Sequence, residues 1–241
     1  MRVLLLLNGS RARYAGGAGE ARLRVWRTYT APGTELEVGY LPDEAEVFPF
    51  GAGAALTHAN LYPDRCAQAE ADGFEAVIIH CCSDPGLAET RARVAIPVVG
   101  PGEVTLRAGA LLGHRIGMTV PSDESLAAHE DQVRALGLWS HVVGIEAIRR
   151  PVGEYAKQDP RAMTDALVSA ARLLVDRGAD VICPSGLAYI PVRVSAREVS
   201  EWLGVPVLDP AFLSVRTAEM LVEARGGATV APARESAAAR G

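Results

Sequence analysis

The chain has 241 residues, of which 49% are apolar, 22% are charged and 5% are aromatic, and its formal net charge at pH 7 is −5. This composition is typical of a soluble globular protein with one large domain or two smaller lobes. The scarcity of aromatic side chains and the mild acidity argue against a protein that stacks on bases or binds the phosphate backbone of nucleic acids.

The amino-terminal apolar run predicts a strand and not a targeting segment. Residues 3–7 are too few for the apolar core of a signal peptide, and they lead directly into the turn Asn8-Gly9-Ser10. No stretch approaches the ~18 apolar residues of a membrane span. We therefore predict a cytoplasmic protein that binds neither membrane nor nucleic acid.

Short aliphatic runs alternate with longer helical patterns, which predicts an α/β fold with mainly parallel sheets. The predicted strands are residues 2–7, 36–40, 76–81, 96–99, 115–120, 142–146, 180–183 and 205–208. The predicted helices are residues 16–27, 54–71, 123–136, 160–177, 195–203 and 211–224. Short polar side chains that can cap exposed N–H groups predict helix starts at Ser122-Asp123, Asp159-Pro160 and Asp209-Pro210. The tail beyond Arg225 has little to bury, and residues 231–241 are predicted to be disordered.

One stretch of the sequence is repeated. Residues 73–81, with the sequence GFEAVIIHC, parallel residues 178–186, with the sequence GADVICPSG. Each copy leads through a helix to a second strand with X-Pro at its start, at residues 96–101 and 205–210. Any protein with βαβ units contains such similarities, which is one interpretation. The other is that the copies belong to two similar lobes whose turns meet across a cleft.

The turns at the carboxyl ends of the strands are where a parallel sheet binds ligands. Four such turns, at residues 8–10, 81–86, 119–122 and 183–187, carry small hydroxyl, amide or thiol side chains together with Gly or Pro. Backbone N–H groups and hydroxyls suit a carboxylate or enolate oxygen, because several donors can converge on it. The predicted substrate contacts are Asn8, Ser10, Cys82, Ser83, Thr119, Ser122, Ser185, Gly186 and Leu187.

Cys81 is the candidate catalytic residue. It ends an apolar strand and precedes the sequence SDPGL, which opens a helix. Nearby N–H groups at a helix start favour the thiolate, which a base acting on carbon or a nucleophile requires. Adjacent strand residues point to opposite faces, so His80 is predicted to pack in the core. Asp84 is predicted to cap the following helix, with Pro85 at its first position.

The remaining candidates carry weaker signals. The four cysteines show no metal-type pairing and are predicted to be free thiols. Tyr189 either lines a pocket or packs, and the sequence leaves both open. The chain has no Gly-x-Gly-x-x-Gly motif and no P-loop, and no His, Cys or carboxylate cluster has metal-ligand spacing. We therefore predict that the protein uses no cofactor and no metal.

Residues 76–87, with the sequence AVIIHCCSDPGL, resemble the first catalytic-cysteine segment of hydantoin racemases, in which a strand is followed by Cys-x-x-Asp-Pro-Gly-Leu. Four further segments are similar to that family in the same order: residues 31–35, 96–100 with Glu103, 111–113 and 178–182. The resemblance covers nearly the whole chain apart from the tail. The chain therefore resembles the aspartate/glutamate/hydantoin racemase superfamily, to which arylmalonate decarboxylases and maleate isomerases are related.

The resemblance implies two similar Rossmann-like lobes with mainly parallel sheets, related by a pseudo-twofold axis, with the active site in the cleft between them. Residues 1–100 and 208–230 would form the first lobe and residues 101–207 the second, because the C-terminal helix returns to the first lobe in that family. In hydantoin racemases, two cysteines, one from each lobe, flank the substrate's α-carbon. One thiolate removes the proton, and the other thiol returns a proton on the opposite face.

This chain lacks the family's second cysteine. The family reads Gly-Cys-x-Gly after the corresponding strand, whereas this chain reads CPSGL at residues 183–187. An alignment without gaps places the second cysteine on Gly186, and a shift of two residues places it on Pro184. Neither residue can transfer a proton. Cys183 lies about three residues too early, within the strand, and is predicted to belong to the core.

The sequence therefore predicts a cofactor-independent isomerase of the racemase or epimerase type. Cys81 would transfer a proton at the carbon α to a carboxylate or carbonyl of a small acid or cyclic amide. A single cysteine leaves two related alternatives open: a decarboxylase of a malonate-like acid and a maleate-type cis–trans isomerase. A further alternative is a non-catalytic protein that binds a small acid. The sequence leaves the substrate and any homo-oligomeric assembly open.

Overall fold

The computed structural model describes residues 1–43, 45, 59–113, 115–149 and 159–226. These residues contain two parallel sheets. The first sheet has the order β2-β1-β3-β4 and comprises β1 (Arg2–Leu7), β2 (Glu35–Tyr40), β3 (Ala76–His80) and β4 (Val98–Val99). The second has the order β6-β5-β7 and comprises β5 (Ile116–Val120), β6 (Val142–Ala147) and β7 (Val181–Pro184). Because neighbouring strands pair in parallel in both sheets, the predicted α/β class is confirmed.

Helices connect the strands and cover the sheets. They are α1 (Ala18–Arg27), α2 (Tyr62–Ala71), α3 (Leu87–Arg93), α4 (Pro101–Leu112), α5 (Leu126–Ala135), α6 (Pro160–Asp176), α7 (Ala196–Leu203) and α8 (Pro210–Arg225). Asp159 accepts a hydrogen bond from Arg161 N, and Asp209 accepts from Ala211 N and Phe212 N. These two predicted caps are confirmed, whereas Ser122, predicted as a third, makes no side-chain capping hydrogen bond, and α5 begins only at Leu126. Among the described helices, none has the length and apolarity needed to span a membrane.

Several elements differ from the sequence prediction. Residues 205–208 contribute a single parallel bridge, between Ile182 and Val207, and do not form a full strand. Helix α4 is absent from the prediction because Gly102 and Gly109 lower the helix propensity of its sequence. The helix predicted over residues 54–71 begins at Tyr62. Its first five predicted positions lie outside the described residues, and so does the predicted disordered tail at residues 231–241.

The strand starts of the two sheets have matching hydrogen bonds. At the start of β3, Glu75 N donates to Arg2 O and Arg2 N donates to Glu75 Oε2 over 2.8 Å. At the start of β7, Asp180 N donates to Arg115 O and Arg115 N donates to Asp180 Oδ1 over 3.0 Å. Glu75 therefore corresponds to Asp180 in the second sheet.

The hydrogen bonds from β3 and β7 to their next strands show the same correspondence between the two sheets. Val77 N donates to Pro97 O, and Ile182 N donates to Pro206 O. Val77 pairs with Val98, as Ile182 pairs with Val207. Residues 73–81 and 178–186 therefore match position by position without a gap, and the interpretation of the repeat as two similar lobes is the one that the structure supports.

Two helices pack on the other sheet, and not on the sheet that immediately precedes them in the sequence. Leu106 of α4, which follows the first sheet, packs with Ile116 and Met118 of the second sheet. Ala211 and Val215 of α8, which follows the second sheet, pack with Leu5 and other residues of the first sheet. This arrangement agrees with a C-terminal helix that returns to the first lobe. The exact lobe boundaries stay a prediction.

Candidate active site

Cys81 directly follows β3, where the chain bends away from the sheet. Cys81 N donates to Ile79 O, and Asp84 N donates to Cys81 O. All four cysteines are free, as predicted. Cys66, Cys82 and Cys183 are buried, whereas Cys81 is half-buried. Cys81 is therefore the thiol that retains surface for a reacting partner.

Polar groups surround the sulfur of Cys81. Its Sγ lies 3.2 Å from Ser83 Oγ. Burial raises the pKa of the Cys81 thiol, while the hydroxyl and N–H of Ser83 and the side chain of Asn8 lower it. Asn8 Oδ1 accepts a hydrogen bond from the Tyr14 hydroxyl, which leaves the Asn8 NH₂ group for the sulfur. The resting group is a thiol, and donors are in place for the thiolate that replaces it.

His80 points away from Cys81, as the strand alternation predicts. It is buried, and its ring centroid lies 5.4 Å from that of Trp26 in α1. Burial lowers the pKa of His80 to about 3. His80 is therefore a neutral packing residue, and the prediction that it belongs to the core is confirmed.

Asp84 caps a helix, but not the predicted one. Its carboxylate accepts hydrogen bonds from Gly102 N over 3.0 Å and Glu103 N over 2.6 Å, in the first turn of α4. Gln132 Nε2 of α5 donates to the same carboxylate over 3.0 Å. Burial raises the pKa of Asp84 to about 7, although the N–H groups of Gly102 and Glu103 lower it. Asp84 thus joins the turn after β3 to two helices distant in sequence.

The helix that follows Asp84 starts later than predicted. Helix α3 begins at Leu87, and Gly86 precedes it with a left-handed φ of 64°. Pro85 therefore does not occupy the first helical position, and that prediction is wrong. A Cβ atom at Gly86 would overlap the Ala59 backbone, so the tight turn after Asp84 requires glycine here.

The turn after β7 contains a buried hydrogen-bonded chain. Ser185 Oγ lies 2.6 Å from His129 Nε2, and His129 Nδ1 lies 2.7 Å from Ser125 O. A carbonyl oxygen only accepts, so Nδ1 carries the proton and Nε2 accepts from the serine hydroxyl. Burial lowers the pKa of His129. His129 was missed by the sequence analysis; its spacing of four residues from Ser125 on a helix was the available signal.

The turns after β3 and β7 lie against each other. Gln132 Nε2 donates to Cys82 O over 2.9 Å. Leu187 packs with Cys82 in the core cluster of the first sheet. Burial raises the pKa of the Cys82 thiol. The backbone N–H groups of Gly186 and Leu187 act in the opposite direction and lower that pKa. The structure therefore brings the predicted site residues at positions 81–84 close to those at positions 185–187.

Gly186 occupies the position in the second lobe that Cys81 occupies in the first. This follows from the gap-free correspondence of residues 73–81 with 178–186, and it favours Gly186 over Pro184 as the place of the missing cysteine. A Cβ atom at Gly186 would lie 2.6 Å from Tyr189 Oη and closer still to two ring carbons. The Tyr189 ring therefore fills the space that a side chain at this position would enter.

Cys183 is a core residue, as predicted. It is buried, and its Sγ donates a hydrogen bond to Thr105 O over 3.5 Å. Burial raises the pKa of its thiol. A Cβ atom at Gly109 of α4 would lie 2.6 Å from Cys183 Sγ. The thiol faces α4, and it does not replace the missing cysteine.

The other predicted substrate contacts differ in their exposure. The half-buried positions are Asn8, Ser83 and Ser122, and the buried positions are Ser10, Cys82, Thr119, Ser185, Gly186 and Leu187. Ser10 Oγ accepts from Ala12 N over 3.2 Å, and Ser122 Oγ lies 3.2 Å from Ser125 Oγ. The roles of all nine as substrate contacts stay predictions. No three His, Cys, Asp or Glu side chains within the described residues are placed to hold a metal ion.

The fold and the site together define a class of protein: an α/β protein of two lobes, with a half-buried thiol where the turns of both lobes meet. The sequence profile of the Asp/Glu/hydantoin racemase family matches residues 29–218, well over half of the chain. The chain belongs to this family, as its resemblance implied.

The comparisons with individual proteins agree with this placement. The chain is 27% identical over 161 residues to the hydantoin racemase of Pseudomonas sp. (strain NS671). That match covers 66% of this chain and 63% of the relative, less than two thirds of its length. An allantoin racemase from Pseudomonas fluorescens has a similar fold, with a TM-score of 0.81, 24% identity and full coverage of both chains. A mutant of arylmalonate decarboxylase has a TM-score of 0.66 and 18% identity, over 94% of this chain and 93% of that one.

Proposed function

We propose that this protein is an isomerase of the racemase or epimerase type that acts on a cyclic amide, with Cys81 transferring the proton at the carbon α to a carbonyl. The observation that carries the proposal is the position of Cys81. Its sulfur is half-buried, follows a parallel strand and has Ser83 and Asn8 as hydrogen-bond donors. The names of the relatives, hydantoin racemase and allantoin racemase, support a cyclic amide over an open-chain acid.

The chemistry follows from the acidity of a carbon next to a carbonyl. The Cys81 thiolate takes the α-proton, and the electron pair of the C–H bond moves onto the carbonyl oxygen as an enolate. N–H and hydroxyl donors stabilise that oxygen, because their partial positive charges are already oriented towards it. Return of a proton to the carbon completes the reaction, and inversion requires that it arrives on the opposite face.

The proposal is tested with an L-5-substituted hydantoin, such as 5-benzylhydantoin, in deuterium oxide. We expect loss of the α-hydrogen signal in NMR together with loss of optical activity, both faster than in buffer alone. Cys81→Ser should lower both rates by roughly 100-fold or more, since a positioned acid–base group contributes about that much.

A matched variant controls for loss of a cysteine in general. Cys183→Ala removes a buried thiol that packs against α4, and both rates should stay within a few-fold of the unmodified protein. Thermal unfolding of each variant verifies that it is folded. Equal activity in Cys81→Ser and the unmodified protein would rule out the assigned role of Cys81.

A decarboxylase is the second candidate, and Gly186 is the observation that favours it. Loss of carbon dioxide from a malonate-like acid leaves an enolate that needs one proton from one face, so a single thiol is sufficient. Such an enzyme releases carbon dioxide from an aryl-methylmalonate and forms one product enantiomer. A protein that only binds a small acid would show a ligand-induced thermal shift that survives Cys81→Ser, without turnover of either substrate.

A further inference from the structure

We infer that Tyr14 is a positioning residue of this site: its hydroxyl holds the side-chain amide of Asn8 in the orientation that presents the NH₂ group to Cys81 Sγ. The inference rests on the proposed function and goes beyond it, because it concerns a residue that acts through Asn8 and not on the substrate. It makes the reactivity of the thiol depend on a side chain from the segment between β1 and α1.

The first step of the argument is the place of Asn8 beside Cys81. Strands β1 and β3 pair in parallel, with Leu7 opposite His80. Asn8 and Cys81 are the next residues after this pair, so both follow the carboxyl ends of neighbouring strands, where a parallel sheet brings side chains together. The Asn8 side chain hydrogen-bonds to the Cys81 thiol. Asn8 is therefore a direct neighbour of the sulfur.

The second step is the direction of the hydrogen bonds. The Tyr14 hydroxyl donates to Asn8 Oδ1. A carboxamide carries its acceptor and its donors on different sides, so with Oδ1 turned to Tyr14 the NH₂ group is the side left for Cys81 Sγ. A deprotonated sulfur can only accept, and the NH₂ group therefore favours the thiolate. The reversed amide would place an acceptor on the sulfur and favour the thiol.

The third step is that the Tyr14 hydroxyl keeps its proton. Burial raises the pKa of Tyr14 to about 12, although Arg22 and Arg13 lower it. The hydroxyl therefore remains a donor throughout the neutral range. Its hydrogen bond also polarises the Asn8 amide, which strengthens the N–H groups on the side that faces the sulfur.

The fourth step is that the Tyr14 ring is held in place. Tyr14 ends a short 3₁₀ turn that begins at Ala12, whose N–H donates to Ser10 Oγ over 3.2 Å. The ring centroid lies 6.0 Å from that of Tyr40 in β2, and Cζ of Arg22 in α1 lies 5.2 Å from the Tyr14 centroid. These contacts involve the ring and the backbone, so they remain when only the hydroxyl is removed.

Other titratable groups near the sulfur contribute to the pKa of Cys81 and stay the same in every variant below. Asp84 in the same turn raises that pKa. Cys82 and Tyr62 of α2 interact electrostatically with Cys81, and burial raises the pKa of both. A difference between variants therefore reports the contact between Tyr14 and Asn8.

The test is the apparent pKa of Cys81, measured from its rate of alkylation by iodoacetamide between about pH 6 and about pH 11, with mass spectrometry of the Cys81 peptide. An apparent pKa separates thiolate formation from access to the sulfur, because access changes the rate equally at every pH. Tyr14→Phe should raise this pKa by roughly half a unit to one unit, since the Asn8 amide is then free to turn. Tyr29→Phe removes a hydroxyl that donates to Asp209 and, as the matched control, should leave the pKa unchanged.

A double variant shows whether Tyr14 acts through Asn8. Asn8→Ala should raise the pKa of Cys81 at least as much as Tyr14→Phe, because the NH₂ group is absent. The two substitutions combined should match Asn8→Ala alone, because no amide is left to orient. Additive shifts in the double variant, or an unmodified pKa in Tyr14→Phe, would overturn the inference, since a side chain that only packs acts equally in both backgrounds.

Asn8→Asp keeps the inference testable if Tyr14→Phe proves unstable in thermal unfolding. Aspartate still accepts from the Tyr14 hydroxyl, but it has no NH₂ group and adds a negative charge. It should raise the pKa of Cys81 more than Asn8→Ala does. An equal or smaller shift would contradict the assignment of Asn8 as the oriented donor to the sulfur.

Exchange of the α-hydrogen of 5-benzylhydantoin in deuterium oxide relates this inference to the proposed function. Tyr14→Phe should lower the exchange rate by roughly threefold to tenfold near pH 7, and by less as the pH approaches the pKa of Cys81. A loss of the same size at every pH would overturn the positioning role. Absence of exchange in the unmodified protein would overturn the proposed function, whereas the pKa of Cys81 in the variants decides the role of Tyr14 in either case.

Discussion

Asp84 connects the structural and chemical parts of the turn that carries Cys81. Its carboxylate binds the first N–H groups of α4 through Gly102 and Glu103. Its negative charge also raises the pKa of the Cys81 thiol, in addition to the larger effect of burial. The residue that holds the turn in place therefore opposes the thiolate that the proposed reaction needs.

Asp84→Asn should make Cys81 more reactive. The pKa of Asp84 is about 7, so above that pH its carboxylate is charged and disfavours the neighbouring thiolate. The neutral amide removes this repulsion, and the pKa of Cys81 should fall. We expect faster alkylation of Cys81 by iodoacetamide between pH 7 and the pKa of the thiol, measured by mass spectrometry.

The same variant should lose stability, because the NH₂ group of asparagine cannot accept, so at least one of the donors Gly102 N, Glu103 N and Gln132 Nε2 loses its acceptor. The expected loss is about 1 kcal/mol in urea unfolding. Asp64→Asn, at an exposed carboxylate on α2, serves as the control and should change neither quantity. An alkylation profile identical to that of the unmodified protein would refute the effect of Asp84 on Cys81.

Helix α4 illustrates how an element can form against its local propensity. Gly102 and Gly109 lower its helix propensity, yet both lie where other groups come close. A Cβ at Gly102 would overlap Cys82 O, and a Cβ at Gly109 would meet Cys183 Sγ at 2.6 Å. Close packing on the second sheet and on the turn after β3 thus compensates for the weaker propensity.

Gly109→Ala should destabilise the protein although alanine favours helices. The new methyl group collides with Cys183 Sγ, and overpacking of this kind costs about 1–3 kcal/mol, more than the gain of about 1 kcal/mol in propensity. Cys183→Ala in the same chain removes the colliding sulfur. Urea unfolding of both single variants and the double variant measures the coupling.

The double variant should be more stable than the sum of the two single losses predicts, by about 1 kcal/mol or more. Additive losses would mean that the sulfur is not the atom that excludes a side chain at position 109. Activity is expected to follow stability here, because Cys183 lies in the core and takes no part in the proposed reaction.

At the scale of the whole molecule, α8 ties the end of the chain to the first sheet. Its buried Glu219 accepts a hydrogen bond from Ala31 N over 2.7 Å and pairs with Arg216 Nη1 over 2.6 Å. Asp209, at the start of the same helix, accepts from the Tyr29 hydroxyl over 2.6 Å. Contacts at the start of α8 and at Glu219, past its midpoint, thus hold α8 against the segment between α1 and β2.

Glu219→Ala should weaken this attachment. It leaves Ala31 N without its acceptor and removes a buried partner of Arg216, so we expect a loss of about 2–3 kcal/mol in the free energy of unfolding. Glu223→Ala, at an exposed position on the same helix, should change it by less than about 0.5 kcal/mol. Similar losses in both variants would contradict the anchoring role of Glu219.

Sequence reasoning succeeded where the relevant partners are neighbours along the chain. Alternating aliphatic runs predicted the strands of both sheets, because burial of a strand is visible in its own residues. The caps Asp159 and Asp209 were predicted because each accepts N–H groups two or three residues ahead. The motif around Cys81 predicted the family, which the sequence profile confirms.

Only the tertiary structure decided which distant residues meet. Asp84 caps α4 and not α3, and His129 binds Ser185. Gly186, rather than Pro184, matches Cys81, and the ring of Tyr189 lies against it. Each of these contacts joins groups brought close by the packing of helices on sheets. Local propensity and spacing describe the chain only over a few residues, so a contact between separate elements exists only once both lobes are assembled.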